Sequence, residues 1–358
     1  MALNRASRAY ARRLMTMPPI VARSTATSSW SSCRVLGKSA GTRLYSSYPT
    51  PEGAPAAAKA PSQKKVTLLG LQNLYNSNTP ITSITAHDYP SAVVAEKAGV
   101  DMILVGDSLA MVALGYNNTN MLSLDEMLYH CRAVARGAKR PLLVADLTFG
   151  SYEISPEQAL ESSIRLVKEG NMEAVKLEGG REMVPTIKKI TNAGIPVLGH
   201  IGLTPQRSTS LSGFRVQGKS IEDAQALIED AQALQEAGCF AIVLEAVPDA
   251  LGRIITEKLQ VPTIGIGAGA DCSGQILVQL DMLGQFDKFT PRFVKKYAQN
   301  YETNVAALQE YVSDVRARAF PAEEHVYKMN GDILAKLQTS LGSSPDQGAE
   351  EASDDARK

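Results

Sequence analysis

Six short apolar runs between residues 81 and 281 each stop at a carboxylate or an imidazole. Runs rich in Val, Ile and Leu are typical of parallel strands that are buried on both faces. In α/β folds the carboxyl ends of such strands line the functional rim, where reactive side chains collect. The pattern therefore predicts an active site built from the residues that end the runs: Asp88, Asp107, Asp146, Glu178, His200 and Glu245.

Asp107, Asp146 and Glu178 end successive runs, so their carboxylates are expected to meet at one edge of a sheet. Hard oxygen ligands without a cysteine or a paired histidine suit Mg²⁺ or a similar cation. The alternative is that each acid only caps a helix or pairs with an arginine. Three acids in succession favour the metal site over that alternative.

Lys176 lies two residues before Glu178, so both side chains would point to the same face of a strand. A lysine there can hold a substrate carboxylate, form a Schiff base with a keto group, or pair with Glu178. His200 is either a hydrogen-bonding partner of the substrate or a satisfied structural histidine. Glu245 has apolar neighbours, which suits a general base, although a buried partner for a lysine or arginine is the alternative.

The predicted strands that carry these residues alternate with helical segments, which is the arrangement of parallel β/α units. Thr67 and the Ser-Pro-Glu-Gln segment at Ser155 are helix-start signals. Eight units favour a closed (β/α)8 TIM barrel, an α/β fold, over residues 64–327. The predicted strands are 82–87, 101–106, 141–147, 173–178, 196–200, 240–245, 262–266 and 276–281.

The two ends of the chain differ in composition from the barrel. Residues 1–45 contain seven Arg and one Lys, many Ser, Thr and Ala, and no Asp or Glu, which predicts a mitochondrial transit peptide and a matrix location. A disordered cytosolic tail and a plastid address are the alternatives. Residues 46–63 are rich in Pro, Ala and Ser and predict a flexible linker, whereas residues 328–358 predict a mostly disordered tail.

The charge balance and the cysteines exclude several classes of function. Without the basic residues of the leader, 29 Lys and Arg remain against 37 Asp and Glu, so neither nucleic acid nor an anionic membrane is an expected partner. No stretch approaches the roughly 18 apolar residues of a membrane span. The four cysteines are far apart in sequence, which indicates reduced thiols.

A repeating apolar pattern follows the barrel. Its residues recur every three or four positions and predict one stripe along a long helix. The stripe would pack on the barrel wall or form an oligomer contact. Its members are Phe293, Tyr297, Tyr301, Val305, Leu308, Val312 and Val315.

Several segments resemble the ketopantoate hydroxymethyltransferase family, and the likeness spans about residues 66–327. One departure is His87, where the family more often has tyrosine. The segments that carry the resemblance are VGDSLAM (105–111), VADLTFGSY (144–152), VKLEGG (175–180), GHIGLTPQ (199–206), VLEAVP (243–248) and IGIGAG (264–269).

The resemblance implies a role for each site residue. Asp107 and Asp146 would bind Mg²⁺, with Glu178 as the third acid of the metal site, directly or through water. Ser108 and Lys176 would hold the keto acid beside the metal ligands, and Glu245 would be the proton acceptor. His200 completes the predicted substrate-binding set from its strand-end position.

The resemblance also implies a reaction. The keto acid 3-methyl-2-oxobutanoate would chelate Mg²⁺, Glu245 would remove the proton at C3, and the enolate would attack the methylene carried by 5,10-methylenetetrahydrofolate. Hydrolysis would release ketopantoate, on the route to pantothenate and coenzyme A. A homo-oligomer such as a decamer is expected. A keto-acid lyase or aldolase on the same barrel, and a catalytically inactive scaffold, are the competing hypotheses.

Overall fold

The computed structural model describes residues 64–342. The predicted transit peptide (1–45) and the predicted linker (46–63) lie outside the described residues, as does the tail after residue 342. Within the tail predicted to be mostly disordered (328–358), Gly331–Ser340 forms a helix, and residues 343–358 lie outside the described residues. The Asn330 side chain caps that helix by accepting a hydrogen bond from Asp332 N at 2.9 Å.

Eight parallel strands close into a barrel in sequence order, each pairing with the next and β8 with β1. The predicted (β/α)8 TIM barrel is confirmed. The strands are β1 Ile81–Thr85, β2 Met102–Val105, β3 Leu142–Asp146, β4 Ala174–Glu178, β5 Val197–Gly202, β6 Ala241–Glu245, β7 Thr263–Ile266 and β8 Gly274–Leu277.

The predicted bounds of the last strand, 276–281, are wrong. Gly274–Leu277 forms the strand because Gly274 packs against β1, where a Cβ would lie only 2.4 Å from Ile81 O. The chain then turns into the short helix Gln279–Met282, and Gln279 N donates to Thr85 Oγ1 at 3.0 Å. The side chains after β8 therefore rise above the barrel instead of continuing along its wall.

Helices follow every strand except β7, which a short loop joins directly to β8, and they cover the barrel from outside. Thr67 and Ser155 cap the first turns as predicted, with each hydroxyl accepting a backbone N–H three residues on. The α-helices are Leu68–Asn76, Tyr89–Ala98, Leu109–Val112, Leu124–Gly137, Pro156–Lys168, Val184–Asn192, Ile221–Ala237, Asp249–Lys258, Gln279–Met282, Asn300–Ala317 and Gly331–Ser340. Short 3-10 turns occupy Thr119–Met121, Arg181–Met183, Pro205–Arg207 and Glu323–His325.

The core has two apolar layers. One lies between the strands and the surrounding helices, and the other fills the barrel interior from alternate strand positions. Strands β2, β3 and β4 are buried along their whole length, as expected for a sheet covered on both faces. No helix within residues 64–342 is long and apolar enough to cross a bilayer.

The long C-terminal helix differs from the prediction. It begins at Asn300, so Phe293 and Tyr297 precede it, and Phe293 instead packs at the barrel interior. None of its residues is buried in the single chain, so packing of this stripe on the barrel wall is wrong. Leu308, for example, is 65% exposed.

Candidate active site

The strand register places the predicted site residues side by side. Asp146 on β3 is the partner of Lys176 on β4, and Glu178 on β4 is the partner of His200 on β5. Glu245 ends β6 next to the last residue of β5. Because paired positions of parallel strands point to the same face, these side chains share the carboxyl-terminal mouth of the barrel.

Asp107 enters the same mouth from the turn after β2. Its backbone N–H donates to Asp146 Oδ2 at 3.0 Å, and its side chain is 5% exposed. Ser108, the next residue, begins the short helix Leu109–Val112 and also lines the mouth. Asp88, in contrast, is a helix cap: its Oδ1 accepts from Ser91 N at 2.8 Å.

Lys176 neutralises Asp146. Its Nζ lies 2.7 Å from Asp146 Oδ1, and both side chains are buried. This is a correction to the simplest alternative for Lys176, which was an ion pair with Glu178. Burial alone would lower the pKa of the Lys176 ammonium, but the carboxylates of Asp146, Glu178 and Asp107 together raise it above its ordinary value. Lys176 is therefore a fixed positive charge at the base of the site.

Gln206 is a central residue that the sequence reasoning missed. Its Nε2 donates to Asp107 Oδ2 and to Leu147 O, both at 2.9 Å, and its backbone N–H donates to Glu178 Oε2 at 3.1 Å. Its Oε1 accepts from Tyr152 Oη at 2.6 Å. Gln206 thus fixes two of the predicted metal-site acids, Asp107 through its side-chain amide and Glu178 through its backbone N–H. The only signal was its place at the end of GHIGLTPQ (199–206), one of the segments that carry the family resemblance.

His200 lies between two carboxylates. Its Nδ1 is 3.5 Å from Glu178 Oε1, and its Nε2 is 3.2 Å from Glu245 Oε2. Neither contact has the alignment of a hydrogen bond, so these are charge contacts within a buried cluster. Burial and Lys176 oppose protonation of the imidazole, yet Glu178 and Glu245 outweigh them and raise the pKa of His200 to about 9.

Glu178 and Glu245 differ in their surroundings. The Glu178 side chain is 1% exposed, and although burial opposes ionisation, His200 and Lys176 lower the pKa of this carboxyl below its ordinary value. The Glu245 side chain is 15% exposed and reaches the open part of the mouth. Glu178 is thus a buried group held by its neighbours, whereas Glu245 is accessible to a molecule in the cavity.

The backbone around Glu245 is tightly constrained. Its carbonyl accepts from Leu203 N at 2.8 Å, and a Cβ on the neighbouring Gly202 would lie 2.2 Å from that carbonyl oxygen. Ala246, the next residue, has φ 47°, a conformation that non-glycine residues rarely adopt. Such strain is typical of functional sites that the surrounding structure holds in place.

The acids of the mouth carry more negative charge than the local cations balance. Burial, followed by the fields of Asp146 and Glu178, raises the pKa of Asp107 to about 8. Within residues 64–342, no three His, Cys, Asp or Glu side chains form a ready metal-binding group. Mg²⁺ is usually held by one or two carboxylates and keeps several waters, so Asp107 and Asp146 fit such an ion, with Glu178 beyond them.

The site residues surround a single cavity of about 360 Å³. This volume falls in the range of small-molecule sites. The acids, Lys176, His200 and Glu245 lie on one part of its wall, and loop residues after β5 and β8 line another. The structure brings together all of the predicted site residues: Asp107, Ser108, Asp146, Lys176, Glu178, His200 and Glu245.

The family model and the similar curated proteins name the same family. A family model described as ketopantoate hydroxymethyltransferase matches residues 65–323. The 3-methyl-2-oxobutanoate hydroxymethyltransferase of Emericella nidulans is 58% identical, over 81% of this chain and 84% of that protein. The Arabidopsis thaliana protein named 3-methyl-2-oxobutanoate hydroxymethyltransferase 1, mitochondrial, is 48% identical, over 86% of this chain and 91% of that protein. Among solved structures, a phosphonopyruvate hydrolase in complex with oxalate and Mg²⁺ has 16% sequence identity and a TM-score of 0.49. The match covers 77% of this chain and 95% of that protein's chain.

Proposed function

The chain belongs to the ketopantoate hydroxymethyltransferase family, and from this premise we propose that it transfers a hydroxymethyl group from 5,10-methylenetetrahydrofolate to 3-methyl-2-oxobutanoate. The products are ketopantoate and tetrahydrofolate, with one water consumed. Ketopantoate would serve pantothenate and coenzyme A synthesis. One observation supports the proposal most directly. The partly exposed carboxylate of Glu245 lines the same cavity as the buried Lys176 and the buried acids Asp107, Asp146 and Glu178.

Binding of the keto acid depends on charge. The substrate carboxylate needs a cationic partner in a buried site, and Lys176 is an ammonium held in place by Asp146. Ser108 adds a hydroxyl at the same wall of the cavity. Asp107, Asp146 and Glu178 would hold Mg²⁺, and when bound this ion would supply Lewis-acid stabilisation of the charge that develops on the keto oxygen.

Proton removal is assigned to Glu245. Its carboxylate takes the proton from C3 of the bound keto acid, and the carbon then forms the new bond to the one-carbon unit. His200 lies 3.2 Å from Glu245 Oε2, so it orients this carboxylate and limits its side-chain freedom. Glu178 on the other side of the imidazole keeps His200 in that position.

The competing imine mechanism is disfavoured by the environment of Lys176. A lysine that forms a Schiff base must be available as the neutral amine, which requires a lowered pKa. Lys176 instead contacts Asp146 at 2.7 Å and has a raised pKa because of the surrounding carboxylates. Lys176 therefore suits electrostatic binding of the substrate better than covalent catalysis.

Two further parts of the proposal concern the subcellular location and the oligomeric state. We propose a mitochondrial matrix location, supported by the acid-free basic leader and by the mitochondrial name of the Arabidopsis relative. We also propose a homo-oligomer such as a decamer, supported by the exposed apolar residues on Asn300–Ala317. Neither nucleic acid nor a membrane is proposed as a partner.

The proposed activity can be tested with the purified full-length chain. It is incubated with 3-methyl-2-oxobutanoate and methylenetetrahydrofolate, with Mg²⁺ or with EDTA, and ketopantoate and tetrahydrofolate are quantified by mass spectrometry. We expect equal amounts of both products, with Mg²⁺ required. Glu257→Gln, at an exposed glutamate away from the cavity, is the control and should behave as the wild type.

Other outcomes identify the rivals. Cleavage of a keto acid without folate would indicate a lyase, and borohydride trapping of substrate on Lys176 would indicate an imine aldolase. Failure to bind Mg²⁺ and both substrates would favour the scaffold hypothesis. Each of these results contradicts the proposed transferase.

A further inference from the structure

Asp281 is a buried carboxylate that the mechanism above does not use. It lies in the short helix after β8 and is 8% exposed. Its side chain accepts no hydrogen bond from a described residue, and its Oδ1 is closed off from solvent. No described Lys, Arg or His lies within ion-pair distance. Such unpartnered buried acceptors are rare in folded proteins and need an explanation.

The position of Asp281 in the barrel sets it apart from the metal-site acids. Asp107 follows β2, and Asp146 and Glu178 end β3 and β4. β8 lies across the closed barrel from β4, which also carries Lys176, and is separated from β2 by β1. Asp281 nevertheless lines the same cavity as Glu245 and Lys176. A molecule that reaches Asp281 would therefore lie beside the keto acid and not in its place.

The wall around Asp281 is aromatic, with cations at its edge. Phe286, Phe289 and Phe293 line this side of the cavity, and Phe289 is 67% exposed. Arg215 and Arg292 line it as well, are exposed, and form no ion pair with a described residue. An aromatic wall suits a flat heterocycle, and unpaired arginines suit carboxylates.

We infer that Asp281 binds the one-carbon donor by accepting hydrogen bonds from the N3–H and 2-amino groups of its pterin ring. This inference rests on the proposed function, since it takes methylenetetrahydrofolate as the donor. Two adjacent N–H donors match the two oxygens of a carboxylate, as in other bidentate pairs. The phenylalanines would contact the ring system, and the arginines would face the glutamate end.

The ionisation state of Asp281 is compatible with this role. Burial raises the pKa of this carboxyl to about 6, against the opposing field of Lys296. At a pH near 8 the group is therefore ionised and can accept both hydrogen bonds. A bound pterin would give the carboxylate the partners that the protein itself does not supply.

The test is isothermal titration calorimetry of the full chain, with Mg²⁺ and keto acid present, using two probes. One probe is tetrahydrofolate, and the other is its analogue in which a methyl group replaces the 2-amino group. We expect the wild type to prefer tetrahydrofolate by at least about tenfold, the typical effect of a lost charge-assisted hydrogen bond. Asp281→Asn should bind tetrahydrofolate at least about tenfold more weakly and lose most of this preference.

Asp287→Asn is the matched control, because Asp287 is an exposed acid in the same segment that does not line the cavity. It should bind both probes as the wild type does. The inference is overturned if Asp281→Asn keeps the wild-type affinity and preference. It is also overturned if the wild type binds both probes equally, a result that does not depend on the folding of any variant. A wild type that neither binds tetrahydrofolate nor forms ketopantoate would overturn the proposed function itself.

Discussion

Replacing Asp107 by asparagine should stabilise the metal-free protein, because this acid is buried beside other acids. Burial and the fields of Asp146 and Glu178 raise its pKa from 3.8 to about 8. In the unfolded chain the carboxyl ionises near its ordinary pKa, while in the fold it stays protonated to a much higher pH. Stability is therefore lost progressively as pH rises from about 4 to about 8, and it levels off above that range.

The size of the effect follows from the same shift. One pKa unit corresponds to about 1.4 kcal/mol, so at pH 7.5 the upper bound is on the order of 5 kcal/mol. Relaxation and water penetration give buried sites an effective dielectric constant of about 20, which reduces the expected gain to about 1–3 kcal/mol. An asparagine Oδ1 can still accept the hydrogen bond that Gln206 Nε2 donates to Asp107 at 2.9 Å. Little is therefore lost in packing.

The assay is thermal unfolding followed by circular dichroism, in EDTA, at one protein concentration and at pH 5 and 7.5. Asp107→Asn should raise the melting temperature by about 3–9 °C at pH 7.5 and by much less at pH 5. Mg²⁺ should then raise the melting temperature of the wild type but not that of the variant. Asp287→Asn, at an exposed acid, should change neither value.

Three results would contradict these expectations. A variant that is less stable than the wild type at pH 7.5 would mean that the ionised Asp107 is well paired in the fold. A gain that does not grow between pH 5 and 7.5 would mean that the substitution acts through packing and not through charge. Equal stabilisation of both proteins by Mg²⁺ would remove Asp107 from the metal site.

Three further predictions test the remaining groups. Glu245→Gln should keep stabilisation by Mg²⁺ but slow deuterium exchange at C3 of the keto acid at least about 100-fold, as measured by proton NMR. Gln206→Ala removes the hydrogen bonds to Asp107, Leu147 and Tyr152, so urea denaturation should show a loss of about 2–4 kcal/mol in the free energy of unfolding. Leu308→Asp, on the exposed apolar stripe, should reduce the subunit number in sedimentation velocity.

The strand-end residues were predictable because their signal is local. An apolar run followed by Asp, Glu or His predicts a strand, and it places the last residue at the end of the barrel where the carboxyl ends of the strands meet. The register then fixes the neighbours, as for Asp146 and Lys176. The bounds of β8 were less predictable, because Gln279–Met282 leaves the wall through contacts with β1 that are remote in sequence.

Gln206 could not be found in this way, and Asp281 was predicted only as the last residue of the strand 276–281. Gln206 donates to Asp107 across 99 positions of the chain, and Gln206 does not end an apolar run. Their importance arises from their surroundings in the closed barrel. Gln206 donates hydrogen bonds to two carboxylates and one backbone carbonyl, whereas the buried Oδ1 of Asp281 has no hydrogen-bonding partner among the described residues. Contacts of this kind depend on tertiary structure, which local periodicity does not encode.

One imidazole, His200, lies between the proposed base Glu245 and the proposed metal-site acid Glu178. Glu178 is 1% exposed, accepts from the backbone of Gln206, and has a lowered pKa, so it stays charged and immobile. Glu245 contacts the other nitrogen of His200 but is 15% exposed to the cavity. In the proposed reaction a proton arriving on Glu245 would weaken its attraction to His200, while Glu178 would keep the hydrogen bond from Gln206 N, which Glu245 does not share. The proposed base could therefore change its charge during turnover while Glu178 is still held by a contact of its own.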